Sequence, residues 1–186
     1  SLKEQTSIPI KDHIEMGFSG TNGDPSFNDL NKPEFLSRLK NAYQACRIIN
    51  HAIGFNLMKQ ASIQNSWDLD LKEIASVWTN GCIIRSVLMN ELSNILSSNG
   101  SILTAAEIVP VMKNSQKDFA YIVSQGLQNN IALPVLSSAL NYYLGFITAD
   151  SSANLIQAQR DYFGAHTYRR KDKPADQYFH TNWKTV

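Results

Sequence analysis

Cysteine is scarce. Cys46 and Cys82 are the only two in 186 residues, too few for a disulfide framework in a chain this long, and a reducing compartment is expected. An excess of one charge is missing as well. Seventeen Lys+Arg stand against 16 Asp+Glu, a formal net charge of +1, which excludes a strongly basic nucleic-acid platform and charge-driven disorder as whole-chain descriptions. Long membrane-like runs are also lacking. The longest uncharged stretch, Phe119 to Ala149, carries Ser124, Gln125, Gln128, Asn129 and Asn130, then Pro134, Ser137, Ser138 and Asn141. Such groups are costly against lipid and ordinary in a buried helix pair, so no membrane partner is expected. Ser1-Leu2-Lys3-Glu4-Gln5 lacks the charged-then-apolar order of a secretory signal, and a cytoplasmic location is expected. The missing starting methionine fits a chain cut from something longer.

What is present is material for one helical domain. Hydrophobic residues make up 43% of the chain, enough for an ordinary core. Residues 12 to 31, rich in Gly, Asn, Asp and Ser, read as a surface connection. From Pro33, which suits a first helical turn, Phe35, Leu36, Leu39, Tyr43, Cys46, Ile49, Ile53 and Leu57 recur at three- and four-residue steps. That spacing predicts a long helix with one apolar face, reaching Ala61 or beyond. Asp70-Leu71-Lys72-Glu73 has the spacing of a capping box and predicts a second helix that stops at Asn80-Gly81. A third runs from about Ile83 to Ser98, before Asn99-Gly100, and Thr104 to Glu107 reads as another helix start. Helices near 115–129, 134–147 and 152–163 complete an all-α set of about seven, with Pro134 marking a start and Gly164 a stop. No convincing alternating strand is visible.

The composition turns basic and aromatic after Gly164. From Ser151 onward six Lys+Arg face three Asp+Glu, leaving 11 against 13 before it. Residues 1–164 are therefore read as the helical body and 165–186 as an extended tail. That tail is too short to fold alone, and its aromatics call for burial on another surface.

No phosphate-cradling glycine loop, zinc cysteine cluster or nucleophile elbow occurs. The histidines His13, His51, His166 and His180 show no metal-like pairing, so no metal is expected. His51 reads as structural, and Cys46 and Cys82 as small buried apolar groups. One constellation stands out. Arg160 falls on the last turn of the final helix and His166 two residues past its glycine. A turn there folds His166 toward Arg160, giving a planar fork of donors and an imidazole suited to phosphate or carboxylate oxygens. On the residues alone a second reading stands beside it, in which basic side chains simply meet the negative end of a helix dipole.

The run Ala153-Asn154-Leu155-Ile156-Gln157-Ala158-Gln159-Arg160-Asp161-Tyr162-Phe163-Gly164-Ala165-His166-Thr167-Tyr168, with Phe179-His180-Thr181-Asn182-Trp183 after it, closely resembles the C-terminal end of 6-phosphogluconate dehydrogenases. Trp78-Thr79-Asn80-Gly81-Cys82-Ile83-Ile84-Arg85 resembles that family's Trp-Arg-Gly-Gly-Cys-Ile-Ile-Arg segment, and Ser1-Leu2-Lys3-Glu4 its Ser-Leu-Lys-Asp/Glu segment. The resemblance implies an enzyme that oxidises 6-phosphogluconate with NADP and releases CO2 to give ribulose 5-phosphate, in the pentose phosphate pathway and gluconate utilization. It implies a homodimer whose tail reaches into the partner subunit. It also implies that Arg160 and His166 bind substrate across the dimer interface.

The family's nucleotide fingerprint, its lysine base and its glutamate acid have no counterpart in this sequence. No catalytic residue is therefore assigned, NADP is expected to bind mainly to an N-terminal domain absent from this chain, and the isolated chain is expected to be inactive. Thr79-Asn80 stands where the family has Arg-Gly, so that arginine's contacts do not carry over. The chain also stops soon after Trp183, so cofactor contacts of longer Gly/Ser-rich tails do not carry over either. The alternative expectation is a non-catalytic helical dimerisation module.

Overall fold

A computed structural model describes residues 31–79, 82–97 and 101–184. The Ser1–Glu4 segment, the 12–30 connection, His13, Asn80-Gly81 and Asn99-Gly100 lie outside the described residues. Six α-helices occur among those described: α1 (Lys32–Asn65), α2 (Leu71–Val77), α3 (Val87–Leu96), α4 (Ile108–Gln128), α5 (Pro134–Ile147) and α6 (Ala153–Gly164). A short 3-10 turn, Ile102–Thr104, precedes α4. The chain divides into two compact units, residues 1–140 and 141–186, with the boundary falling inside α5.

In the first unit α1 packs along α4, and α2 along α3. The all-α expectation holds, yet the buried face of α1 is turned from the one its large apolar residues mark and shares with it only Cys46 and Ile49 as buried positions. Ala42, Ala45, Cys46, Ile48, Ile49, Ala52 and Phe55 are buried, whereas Leu36, Tyr43 and Leu57 are 61%, 58% and 68% exposed. Alanines on the inner face let two helices approach closely, and the seam is filled by Met112, Phe119, Ile122 and Val123 of α4. At one end of the pair Arg38 bridges Glu34 at 2.7 Å and Asp118 of α4 at 3.2 Å. Asn41 Nδ2 donates to the other Asp118 oxygen at 2.7 Å.

Local signals account for most boundaries. Pro33 lies in the first turn of α1, and α1 ends on Ser66 in the left-handed region at φ 55°, with Trp67 N–H returning to the Ser62 carbonyl at 3.0 Å. Asp70 caps α2 by accepting from Glu73 N–H at 3.0 Å. Three expectations fail. Helix α3 begins at Val87 rather than Ile83, because Ser86 accepts from Met89 N–H and makes the cap, while Cys82–Arg85 forms a turn. Thr104 caps nothing; its hydroxyl bonds back to the Ser101 carbonyl within the 3-10 turn. The helices expected from 104 and from 115 are one helix, α4. Pro110 sits in its first turn, where a missing N–H leaves no intrahelical bond unmade.

Trp78 closes α2 and packs on Phe55 at 5.5 Å between ring centroids. Thr79 donates its hydroxyl to the Ser76 carbonyl at 2.7 Å, which gives it a local closing role. Cys46 is buried, its thiol pushed up by that burial against an opposing hydrogen bond from Asn50. Cys82 is only half-buried, contrary to expectation. Among the described residues no helix is long and apolar enough to cross a membrane.

Candidate functional site

Helix α6 inverts the usual amphipathic pattern. Its one buried residue is an acid, Asp161, while Leu155 and Phe163 are each 74% exposed and Ile156 and Tyr162 more than half exposed. A buried carboxylate requires donors. Asp161 Oδ1 accepts from Thr167 N–H at 3.0 Å and lies 3.0 Å from His180 Nδ1. Its Oδ2 accepts from Thr181 N–H and from the Trp183 indole N–H, both at 3.0 Å. Burial works to raise this carboxyl, but the bonds from Thr181, His180, Trp183 and Thr167 outweigh it and hold Asp161 at about 2.

These donors come from the helix exit and from the tail, so one carboxylate ties both together. The tail doubles back through an antiparallel bridge, Tyr168 to Phe179, with reciprocal N–H to carbonyl bonds of 2.9 Å. The Tyr168 and Thr181 hydroxyls share a hydrogen bond of 2.7 Å. Tyr162 and Trp183 meet edge to face with centroids 6.1 Å apart. The tail's basic residues are mostly engaged locally. Arg170 pairs with Asp172 at 2.6 Å, Lys171 with Asp150 and the Ala149 carbonyl, and Arg169 with the Tyr178 hydroxyl.

The exit of α6 differs in one respect from expectation. The helix extends through Gly164, and the left-handed residue is Ala165, at φ 51°. Thr167, a β-branched residue, is also left-handed at φ 60°, a conformation that persists only where surrounding bonds fix it. Here they do: Asp161 takes the Thr167 N–H, and Gln157 Nε2 donates to the Thr167 carbonyl.

This turn sends His166 back over the helix end. Its Nε2 and Cδ2 lie 3.1 and 3.2 Å from where a Cβ on Gly164 would stand, so the glycine is needed for the approach of the ring and not for its own backbone angle. Positions 160 and 164 are one turn apart on one helix face. The imidazole therefore lies against the helix about one turn beyond Arg160. Both Arg160 and His166 are solvent-exposed. Arg160 Nη1 donates to Gln157 Oε1 at 3.3 Å, a neutral partner, and no carboxylate pairs with the guanidinium among the described residues. Because α6 ends one residue later than expected, Arg160 precedes its last turn, which holds no basic residue.

Sequence reasoning singled out Arg160 and His166 and missed Asp161 and Gln157, the pair that shapes the turn between them. Their four-residue spacing on a helix otherwise rich in apolar side chains was the available signal. His180, to which the sequence assigns no role, faces Asp161. His51 is occupied in its own helix, with Nδ1 2.7 Å from the Arg47 carbonyl. Among the described residues no group of three or more His, Cys, Asp or Glu side chains converges to hold a metal ion.

Comparison with known proteins gives consistent results. A family model described as 6-phosphogluconate dehydrogenase, C-terminal domain, matches residues 10–183. The 6-phosphogluconate dehydrogenase, decarboxylating, of Buchnera aphidicola subsp. Schizaphis graminum is 41% identical over 157 residues, covering 83% of this chain and 33% of that protein. Its counterpart in Staphylococcus aureus strain N315 is 39% identical over 166 residues, covering 87% of this chain and 35% of that protein. The Plasmodium falciparum 6-phosphogluconate dehydrogenase, solved in its apo form and in complex with its cofactor NADP+ and its substrate 6-phosphogluconate, superposes with a TM-score of 0.80 at 34% identity. That match covers 94% of this chain and 37% of the other. The chain thus spans about a third of the length of the relatives it matches. A helical body closing on a Gln-Arg-Asp-Tyr-Phe-Gly-Ala-His exit, matched over nearly its whole length, places the chain in the 6-phosphogluconate dehydrogenase C-terminal domain family.

Proposed function

We propose that this chain is the dimer-forming, substrate-completing portion of an NADP-dependent 6-phosphogluconate dehydrogenase, an oxidative decarboxylase yielding ribulose 5-phosphate and CO2 in the cytoplasm. In that assembly Arg160 and His166 bind the phosphate of 6-phosphogluconate held in the opposite subunit of a homodimer. The observation that carries this reading is the His166 ring folded against Gly164, about one turn beyond an Arg160 that no carboxylate pairs with among the described residues. A guanidinium fork and an imidazole offered from one face suit a phosphate monoester.

Dimerisation draws support from the exposed apolar residues. Leu155, Ile156, Tyr162 and Phe163 lie on α6 and Leu36, Tyr43 and Leu57 on α1, more apolar surface than a helix leaves in water without a partner. NADP would be held mainly by a dinucleotide-binding domain outside this chain, and no residue here is assigned to it. Purified alone, the 186-residue chain is expected to give no 6-phosphogluconate-dependent NADP reduction.

A purely structural dimerisation module would account for the apolar surface but has no use for the Arg160–His166 arrangement. Arg160→Ala in the full-length enzyme separates the two. A charge-assisted phosphate contact is worth about 1.5–3 kcal/mol, so the KM for 6-phosphogluconate should rise at least about tenfold. An unchanged KM removes Arg160 from the site.

A further inference from the structure

Gln157 occupies a position that the phosphate-binding reading does not use. Its Oε1 accepts from Arg160 Nη1 at 3.3 Å, and its Nε2 donates to the Thr167 carbonyl. The amide orientation is fixed by chemistry: a guanidinium only donates and a carbonyl only accepts, so a flipped amide would lose both bonds. Thr167 follows His166 directly and holds a left-handed conformation at φ 60°. One side chain therefore touches the guanidinium on one side and the backbone that aims the imidazole on the other.

We propose that Gln157 is a positioning residue for the anion site, setting the guanidinium of Arg160 against the turn that carries His166. The inference rests on the reading of Arg160 and His166 as phosphate ligands. Gln157 itself is not a ligand; it acts through the other two. Two long exposed side chains would otherwise each lose rotamer freedom on meeting a phosphate, and a pre-set pair loses less. The bridge is therefore worth affinity for substrate and nothing in the chemical step. Being half-buried on a helix surface, with Met among the better helix formers, position 157 tolerates Gln157→Met without loss of the fold.

In the full-length enzyme Gln157→Met should raise the KM for 6-phosphogluconate roughly threefold or more, the scale of one or two lost hydrogen bonds, with kcat within about twofold of the parent. Gln157→Glu, which keeps an acceptor for Arg160 and loses the donor to Thr167, should act in the same direction. In an Arg160→Ala, His166→Ala background, Gln157→Met should change KM by less than about twofold, because the groups it positions are gone. A KM unchanged in Gln157→Met while Arg160→Ala raises it overturns the inference and leaves the site intact. A fall in kcat alone, or a full effect in the doubly substituted background, also overturns it. If neither Arg160→Ala nor His166→Ala alters KM, the phosphate-site reading fails, and the inference fails with it.

Discussion

The imidazole of His166 packs against Gly164, its nearest nitrogen 3.1 Å from where a Cβ on that glycine would stand. Helix α6 therefore ends in a glycine for the sake of a neighbouring ring. Gly164→Ala should push the exposed His166 ring outward by a few tenths of an ångström. Alanine is up to about 1 kcal/mol better than glycine in a helix, so thermal stability should hold or rise slightly. The KM for 6-phosphogluconate in the full-length enzyme should rise several-fold, on the order of one lost hydrogen bond. A stable variant with unaltered KM would show that the ring's position is irrelevant to substrate.

Asp161 gives the tail a dependence on acid. Its carboxyl is held at about 2, below the 3.8 of the free side chain, so the stabilisation it supplies is complete above pH 3.8. It declines as the pH falls through the interval down to 2. The indole N–H resonance of Trp183, which donates to this carboxylate, should stay at its bonded position through pH 4 and move only as the pH approaches 2. A midpoint near 4 would mean that the four donors do not hold the charge. Asp161→Ala should abolish the bonded Trp183 resonance at neutral pH, since Thr167, Thr181 and Trp183 then lose a common acceptor.

Gly126 tests the first unit. It is buried near the end of α4, where a Cβ would collide with the Leu133 side chain and stand 2.9 Å from its Cγ. The chain there reverses through Asn130, left-handed at φ 55°, with Ile131 N–H returning to the Gly126 carbonyl at 2.8 Å. Gly126→Ala should cost about 1–3 kcal/mol, the usual range for overpacking, read as a lowered midpoint of thermal or urea unfolding. No change would show that Leu133 moves aside freely.

Elements governed by local chemistry were legible in the sequence: Pro33 in the first turn of α1, Asp70 as the cap of α2, and Pro134 at the head of α5. Failures came where local signals compete. Residue type alone does not decide that Ser86 caps a helix while Thr104 sits in a 3-10 turn. The apolar face of α1 is legible only in part: Cys46 and Ile49 are buried as their spacing implies, but Tyr43 and Leu57 are exposed and alanines make the close seam. In the candidate site Arg160 and His166 were found by residue type. Asp161 and Gln157 were not, since a buried acid and a bridging amide reveal themselves only once the turn beyond Gly164 brings their partners back.

The most direct test of substrate binding across the dimer is a mixed dimer. One full-length subunit carries Arg160→Ala with an intact nucleotide-binding half, and the other keeps Arg160 but is inactivated in that half. If Arg160 serves the opposite subunit, the mixed dimer contains one complete site and recovers about half the parental activity, although each homodimer is impaired at low substrate. If Arg160 serves its own subunit, neither site is complete and the mixed dimer stays as impaired as its parents.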